Sequence, residues 1–185
     1  MFEEIEEKVI SGKREFTGVV IDVEHWDVQL PDGRTALREV ALHKGASAVV
    51  PVDKQGRVAM VHQYRTPLKR VTIEIPAGKL DSIDEDPFEA AKRELREETG
   101  LKAEKWRKLV ALRTTPGFCN ETIHIYMAED LSTGETDYDD DEFINVEWVD
   151  INELCDRIVQ GEIEDSKTIS ALMMTREILR NERKI

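Results

Sequence analysis

Residues 78–101, GKLDSIDEDPFEAAKRELREETGL, contain a helix whose two ends follow from the residues themselves. Asp86 is a good N-cap, Pro87 suits the first helical position, and Glu89, three residues after Asp86, completes a capping-box pattern. Gly100 supplies the left-handed residue at which the helix stops. Between these ends Phe88, Ala91, Leu95 and Thr99 recur at steps of three and four, which gives one face to bury.

Another face carries charge. Glu94 and Glu98 lie one turn apart with Glu97 beside both. Arg93 stands four before Glu97 and four after Glu89, but the neighbours of Glu94 at those spacings are Ala90, Ala91, Glu97 and Glu98. Like charges so placed repel by about 0.2–0.5 kcal/mol per pair. A Glu-rich helix is most often a solvated face. A divalent cation would also remove the repulsion, and carboxylate oxygens are what Mg²⁺ or Mn²⁺ prefers.

The chain has 185 residues, enough for one domain with a small accessory sheet. Its 39 acidic against 26 basic residues give a formal charge of -13, which argues against a nucleic-acid polymer as partner but leaves room for a small phosphorylated ligand bridged by metal. No apolar run approaches the roughly 20 residues needed to span a bilayer, and the start, MFEEIEEKVI, is acidic where a signal peptide is basic. A soluble cytoplasmic protein without a membrane partner is expected. Cys119 and Cys155 lack metal-ligand spacing and read as free thiols.

Residues 8–42 look like antiparallel strands: 17–23 is rich in β-branched residues, and Pro31-Asp32-Gly33 is a turn signal before a run over 35–42. So small a sheet has little core of its own and is expected to pack on the main domain or on a second subunit. Trp26 either stacks on a base or serves packing. Residues 46–52 and 57–63 read as strands joined in a hairpin by Asp53-Lys54-Gln55-Gly56. Glu74 falls among apolar neighbours, where either a ligand group or Arg65 must satisfy it. Strands follow at 106–112, 122–128 and 145–149, then a helix capped by Asp150 with Glu153 and a last helix over 166–180.

The segment RELREETGL, with seven residues between Glu85 and Arg93, resembles the Nudix box, whose form is a Gly, five residues, Glu, seven residues, then Arg-Glu-apolar-x-Glu-Glu-x-Gly-apolar. Gly78 stands one residue earlier than that form, so the loop to Glu85 is one residue longer. The segments REVALHKGASAVV, HQYR, EIPAGKL, TTPGFCNETIHIY and DDDEFINVEWV extend the resemblance to the ADP-ribose pyrophosphatase branch. It implies an α/β fold, an α/β/α sandwich around a mixed sheet over residues 44–185, with the small antiparallel sheet of residues 1–43 helping to form a homodimer.

The implied reaction is metal-dependent hydrolysis of ADP-ribose to AMP and ribose 5-phosphate. The alternatives are a hydrolase for a GDP- or UDP-linked sugar and a non-catalytic nucleotide sensor, against which the intact acidic set argues. Carried onto this sequence, the resemblance makes Glu94, Glu97, Glu98 and the Ala77 carbonyl metal ligands for Mg²⁺, with Mn²⁺ able to substitute. Arg93 holds those acids in place, reaching Glu97 or Glu89. A further base or ligand comes from the DYDDDE loop, where Glu142 matches best and Asp140 next. Arg65 and Glu74 occupy substrate-contacting positions, and Arg38 is a candidate for the diphosphate.

Overall fold

The computed structural model describes residues 3–133 and 145–182. In chain order the strands are β1 (Lys8–Thr17), β2 (Asp22–Gln29), β3 (Thr35–Leu42), β4 (Ala46–Pro51), β5 (Arg57–Arg65), β6 (Arg70–Glu74), β7 (Ala77–Lys79), β8 (Leu101–Arg113), β9 (Thr122–Thr133) and β10 (Asn145–Asp150). The helices are α1 (Pro87–Thr99), α2 (Ile151–Gln160) and α3 (Ser166–Asn181). The chain divides into two compact units, Met1–Gly45 with Arg113–Thr122, and Ala46–Leu112 with Ile123–Ile185.

In the first unit β1, β2 and β3 form an antiparallel sheet in that order. The turn expected at Pro31-Asp32-Gly33 joins β2 to β3, with Gly33 at φ 87°. The strand expected over 17–23 does not form. Thr17 pairs with Asp22, which closes the β1–β2 connection there, and Gly18 N–H bonds the Ile21 carbonyl. Pairing register overrides the β-branched preference, and Val19 is left almost wholly exposed at the tip. Residues 113–122 join this unit through backbone bonds: Ala41 N–H to the Phe118 carbonyl at 2.7 Å and Asn120 N–H to the Ala41 carbonyl at 3.2 Å.

In the second unit a four-stranded mixed sheet, β7-β4-β9-β8, accompanies an antiparallel sheet, β10-β5-β6. β4 runs parallel to β9 and antiparallel to β7. The hairpin expected between β4 and β5 is corrected. Its turn is present, but the strands share only the isolated bridge Val52–Val58 and then part into different sheets. Local turn chemistry fixes the reversal, while β9 and β10 take the edges on which a hairpin would have closed.

Because β4 is buried along its whole length, its alternate residues feed two cores. Ala46, Ala48 and Val50 pack with Met60, Ile125, Leu154, Leu172 and Leu179, the last three from α2 and α3. Val49 packs with Ala91 and Leu95 of α1, and with Tyr126. Helices thus cover both faces, the expected α/β/α sandwich. Ser47, on the face of Val49, donates to the Pro87 carbonyl at 2.6 Å and ties β4 to the start of α1.

Candidate active site

α1 begins and ends where its residues require. The Asp86 carboxylate accepts from Phe88 N–H at 2.9 Å, and Gly100 adopts φ 68° with its N–H on the Arg96 carbonyl. The reciprocal half of the capping box is absent, because Glu89 pairs with Lys92 at 2.7 Å. The same holds at α2, where Asp150 caps Asn152 and Glu153 while Glu153 turns to Arg157.

The face with Ala91 and Leu95 is buried as expected, and the charged face is also largely enclosed: Glu94 is 8 % and Glu98 2 % exposed. Both acids meet the short strand β7. The Glu98 carboxylate accepts from Ala77 N–H at 2.9 Å. At Gly78, a Cβ would stand 2.1 Å from the Glu94 carboxylate, so only glycine admits this approach. Gly78 is required for space, since its φ is not among the positive values.

Glu94 is not without counter-charge. Arg93 donates through Nη1 to Glu94 Oε1 at 2.7 Å and to Glu97 Oε2 at 3.0 Å, and through Nη2 to the Lys79 carbonyl at 3.2 Å and Glu85 at 3.4 Å. Helical spacing alone misses the first bond, because the long guanidinium folds back across its own neighbour. Of the two acids offered to Arg93, it takes Glu97, since Glu89 is held by Lys92. Burial opposes the charge on Arg93, but Glu94 and Glu97, with Asp81 and Glu85 beyond them, outweigh it and push its pKa up. The longer loop keeps Glu85 in this set: its other oxygen accepts from Asp81 N–H at 2.6 Å.

At the end of β6, Glu74 is 3 % exposed and fully engaged. Its Oε1 accepts from Arg65 Nε at 2.8 Å and Thr72 Oγ1 at 2.6 Å; its Oε2 accepts from Arg65 Nη2 at 2.6 Å and from Lys167 Nζ. Burial alone would raise the Glu74 pKa, yet Arg65, Lys167 and Thr72 together hold it at about 2. The Arg65 pKa is raised, chiefly by its bond to Glu74, and the charge of Glu98 also acts on it. The guanidinium that resemblance places on the substrate therefore lies within electrostatic reach of the acidic helix.

Sequence reading missed Lys167. Its signal was its position: a cation in the first turn of a helix opposes the macrodipole and needs an acidic partner to be held there. Trp26 and Arg38 are cross-strand partners in the first unit. Trp26 donates to Glu24 at 2.6 Å and lies against Gly12, and Arg38 forks onto Glu7. Glu142 and Asp140 lie outside the described residues.

Three hard carboxylates on one turn, one of them against the Ala77 backbone N–H, have the donor chemistry that suits a divalent cation. Among the described residues no three His, Cys, Asp or Glu side chains stand ready-grouped as a cage. Glu98 is engaged by Ala77, and Glu94 and Glu97 by Arg93.

The NUDIX domain family model matches residues 41–172. An ADP-ribose pyrophosphatase of Bacillus subtilis (strain 168) is 43% identical over 170 residues, covering 91% of this chain and 91% of its own. A methanol dehydrogenase activator of Bacillus methanolicus is 42% identical over 169 residues, covering 90% and 91%. The crystal structure of an ADP compounds hydrolase superposes with a TM-score of 0.85 over 97% of both chains at 20% identity, a likeness of fold.

Proposed function

The chain belongs to the Nudix family, and from that premise we propose that it hydrolyses the diphosphate of ADP-ribose, giving AMP and ribose 5-phosphate. The observation that carries this reading is the meeting of two buried acids, Glu94 and Glu98, with the Ala77–Gly78 strand, while Arg65 feels the charge of Glu98. Acids able to hold a cation, with a guanidinium in electrostatic reach, suit a diphosphate.

In the reaction a water oxygen forms a new bond to one phosphorus, the bond from that phosphorus to the bridging oxygen breaks, and the bridging oxygen leaves with the other phosphate. Mg²⁺, or Mn²⁺ in its place, held by Glu94, Glu97, Glu98 and the Ala77 carbonyl, would neutralise diphosphate charge and lower the pKa of a bound water. Arg93 keeps Glu94 and Glu97 from splaying apart. Arg65 meets phosphate or ribose oxygens with its exposed edge, and Glu74 aims it. Glu142, or Asp140, supplies the loop acid, Arg38 assists at the diphosphate, and Trp26 stacks on the base. A cytoplasmic homodimer completes the reading, supported by the exposed Val9, Ile10, Phe16 and Leu37 of the N-terminal sheet.

Incubation with ADP-ribose, GDP-mannose and UDP-glucose in Mg²⁺, with release of AMP, GMP and UMP measured, tests the substrate. AMP release from ADP-ribose at a clear excess is expected; a GMP or UMP preference moves the enzyme to another nucleotide sugar, and no release at all defeats the assignment. Sedimentation at micromolar concentration tests the dimer, and an active monomer would refute it.

A further inference from the structure

Lys167 lies far from the acidic helix in sequence and is buried at the start of α3. A buried ammonium needs paired charge, and two carboxylates meet it: Glu74 Oε2, and Asp165 Oδ2 at 3.0 Å. Asp165 is also the N-cap of α3, accepting from Thr168 N–H at 2.9 Å through the same oxygen. One residue on, Thr168 Oγ1 accepts from Ile75 N–H at 3.0 Å. The first turn of α3 therefore grips Glu74 and Ile75 with two adjacent side chains, Lys167 by charge and Thr168 by a neutral bond.

The consequence falls on Arg65. Its Nε and Nη2 are committed to the two oxygens of Glu74, and among the described residues its Nη1 has no hydrogen-bond partner. The plane of the Glu74 carboxylate thus fixes the plane of the guanidinium. Lys167 and Thr72 each add one donor to that carboxylate, one per oxygen, so it cannot rotate without breaking a charged bond. Lys167 also shares the single negative charge of Glu74, which leaves Arg65 less neutralised than in a simple pair.

We propose that Lys167 is a positioning residue for the recognition of the anionic substrate, acting through Glu74 to aim Arg65 and preserve its charge. The inference rests on Arg65 touching substrate, as proposed above, and the experiment separates the two. Lys167→Gln, Thr168→Ala, Arg65→Ala and the Arg65→Ala/Lys167→Gln double variant are assayed on ADP-ribose with Mg²⁺, with Tm measured on each. Lys167→Gln is expected to raise KM about tenfold with kcat within about threefold, and to add nothing in the Arg65→Ala background. Thr168→Ala is expected to lower Tm and leave KM unchanged. An unchanged KM in Arg65→Ala defeats the substrate role of Arg65 and this inference with it. A raised KM in Arg65→Ala with an unchanged KM in Lys167→Gln overturns the inference alone. So does an equal rise in Thr168→Ala, which would make helix docking the cause, or an undiminished rise from Lys167→Gln without Arg65. Should Lys167→Gln fail to fold, Lys167→Arg decides: its larger head displaces Glu74, so KM should rise about threefold or more, and a parent-like KM overturns the inference.

Discussion

The carboxylate of Glu94 rests on the backbone of Gly78, so closely that a β-carbon there would stand 2.1 Å from it. The clash could not be relieved cheaply, because Glu94 is buried and tied to Arg93 at 2.7 Å. Gly78→Ala should therefore push Glu94 out of place and lower kcat by about tenfold or more, with a fall in Tm from the strained contact. Kinetics with Mg²⁺ and a thermal melt check it. Parent-like kcat would mean that the position of Glu94 does not matter to turnover.

Glu98→Gln keeps an oxygen to accept from Ala77 N–H and removes only charge. The fold should survive with a Tm close to the parent's, while kcat falls by about a hundredfold or more, the scale on which loss of a charged group at a reacting centre acts. Undiminished hydrolysis of ADP-ribose in saturating Mg²⁺ would remove Glu98 from the site.

Arg93 serves Glu94, Glu97, Glu85 and the Lys79 carbonyl at once, a fork that an ammonium cannot reproduce. Arg93→Lys should weaken the affinity for the activating divalent cation by about 10–100-fold, shifting half-activation by Mg²⁺ to higher concentration. A Mg²⁺ titration of the rate reads this directly, and an unshifted midpoint contradicts it.

Acid stability should depend on Glu74. Its carboxyl titrates at about 2 in the folded chain against an ordinary 4.5, so its contribution is complete above about pH 5 and disappears as the pH falls toward 2. The amount is on the order of 3 kcal/mol. Glu74→Gln should be less stable at pH 7, with Lys167 left short of counter-charge, and should lose less on acidification from pH 5 to pH 2. Urea melts at those two pH values measure the difference. Equal acid losses in parent and variant would show that the ion pairs of Glu74 do not govern acid stability.

What the sequence determined by itself was local. Asp86, Pro87 and Gly100 set the ends of α1, because capping depends on groups within a turn of each other. The same spacing put Glu94, Glu97 and Glu98 on one turn, and the surrounding motif tied them to a family. What only the tertiary structure decided were contacts between residues distant in sequence or turned against their expected direction. Arg93 folding back onto Glu94 depends on side-chain reach, which spacing does not encode. The parting of β4 from β5 follows from competition for sheet edges by β9 and β10, many residues later. Gly78 is required by the side chain that leans on it, whereas a positive φ would have been guessed from the residue type. Glu74 announced its need for a partner as a carboxylate among apolar neighbours, but Lys167 stands 93 residues away, and only the docking of α3 brings its charge to the place where burial demands one.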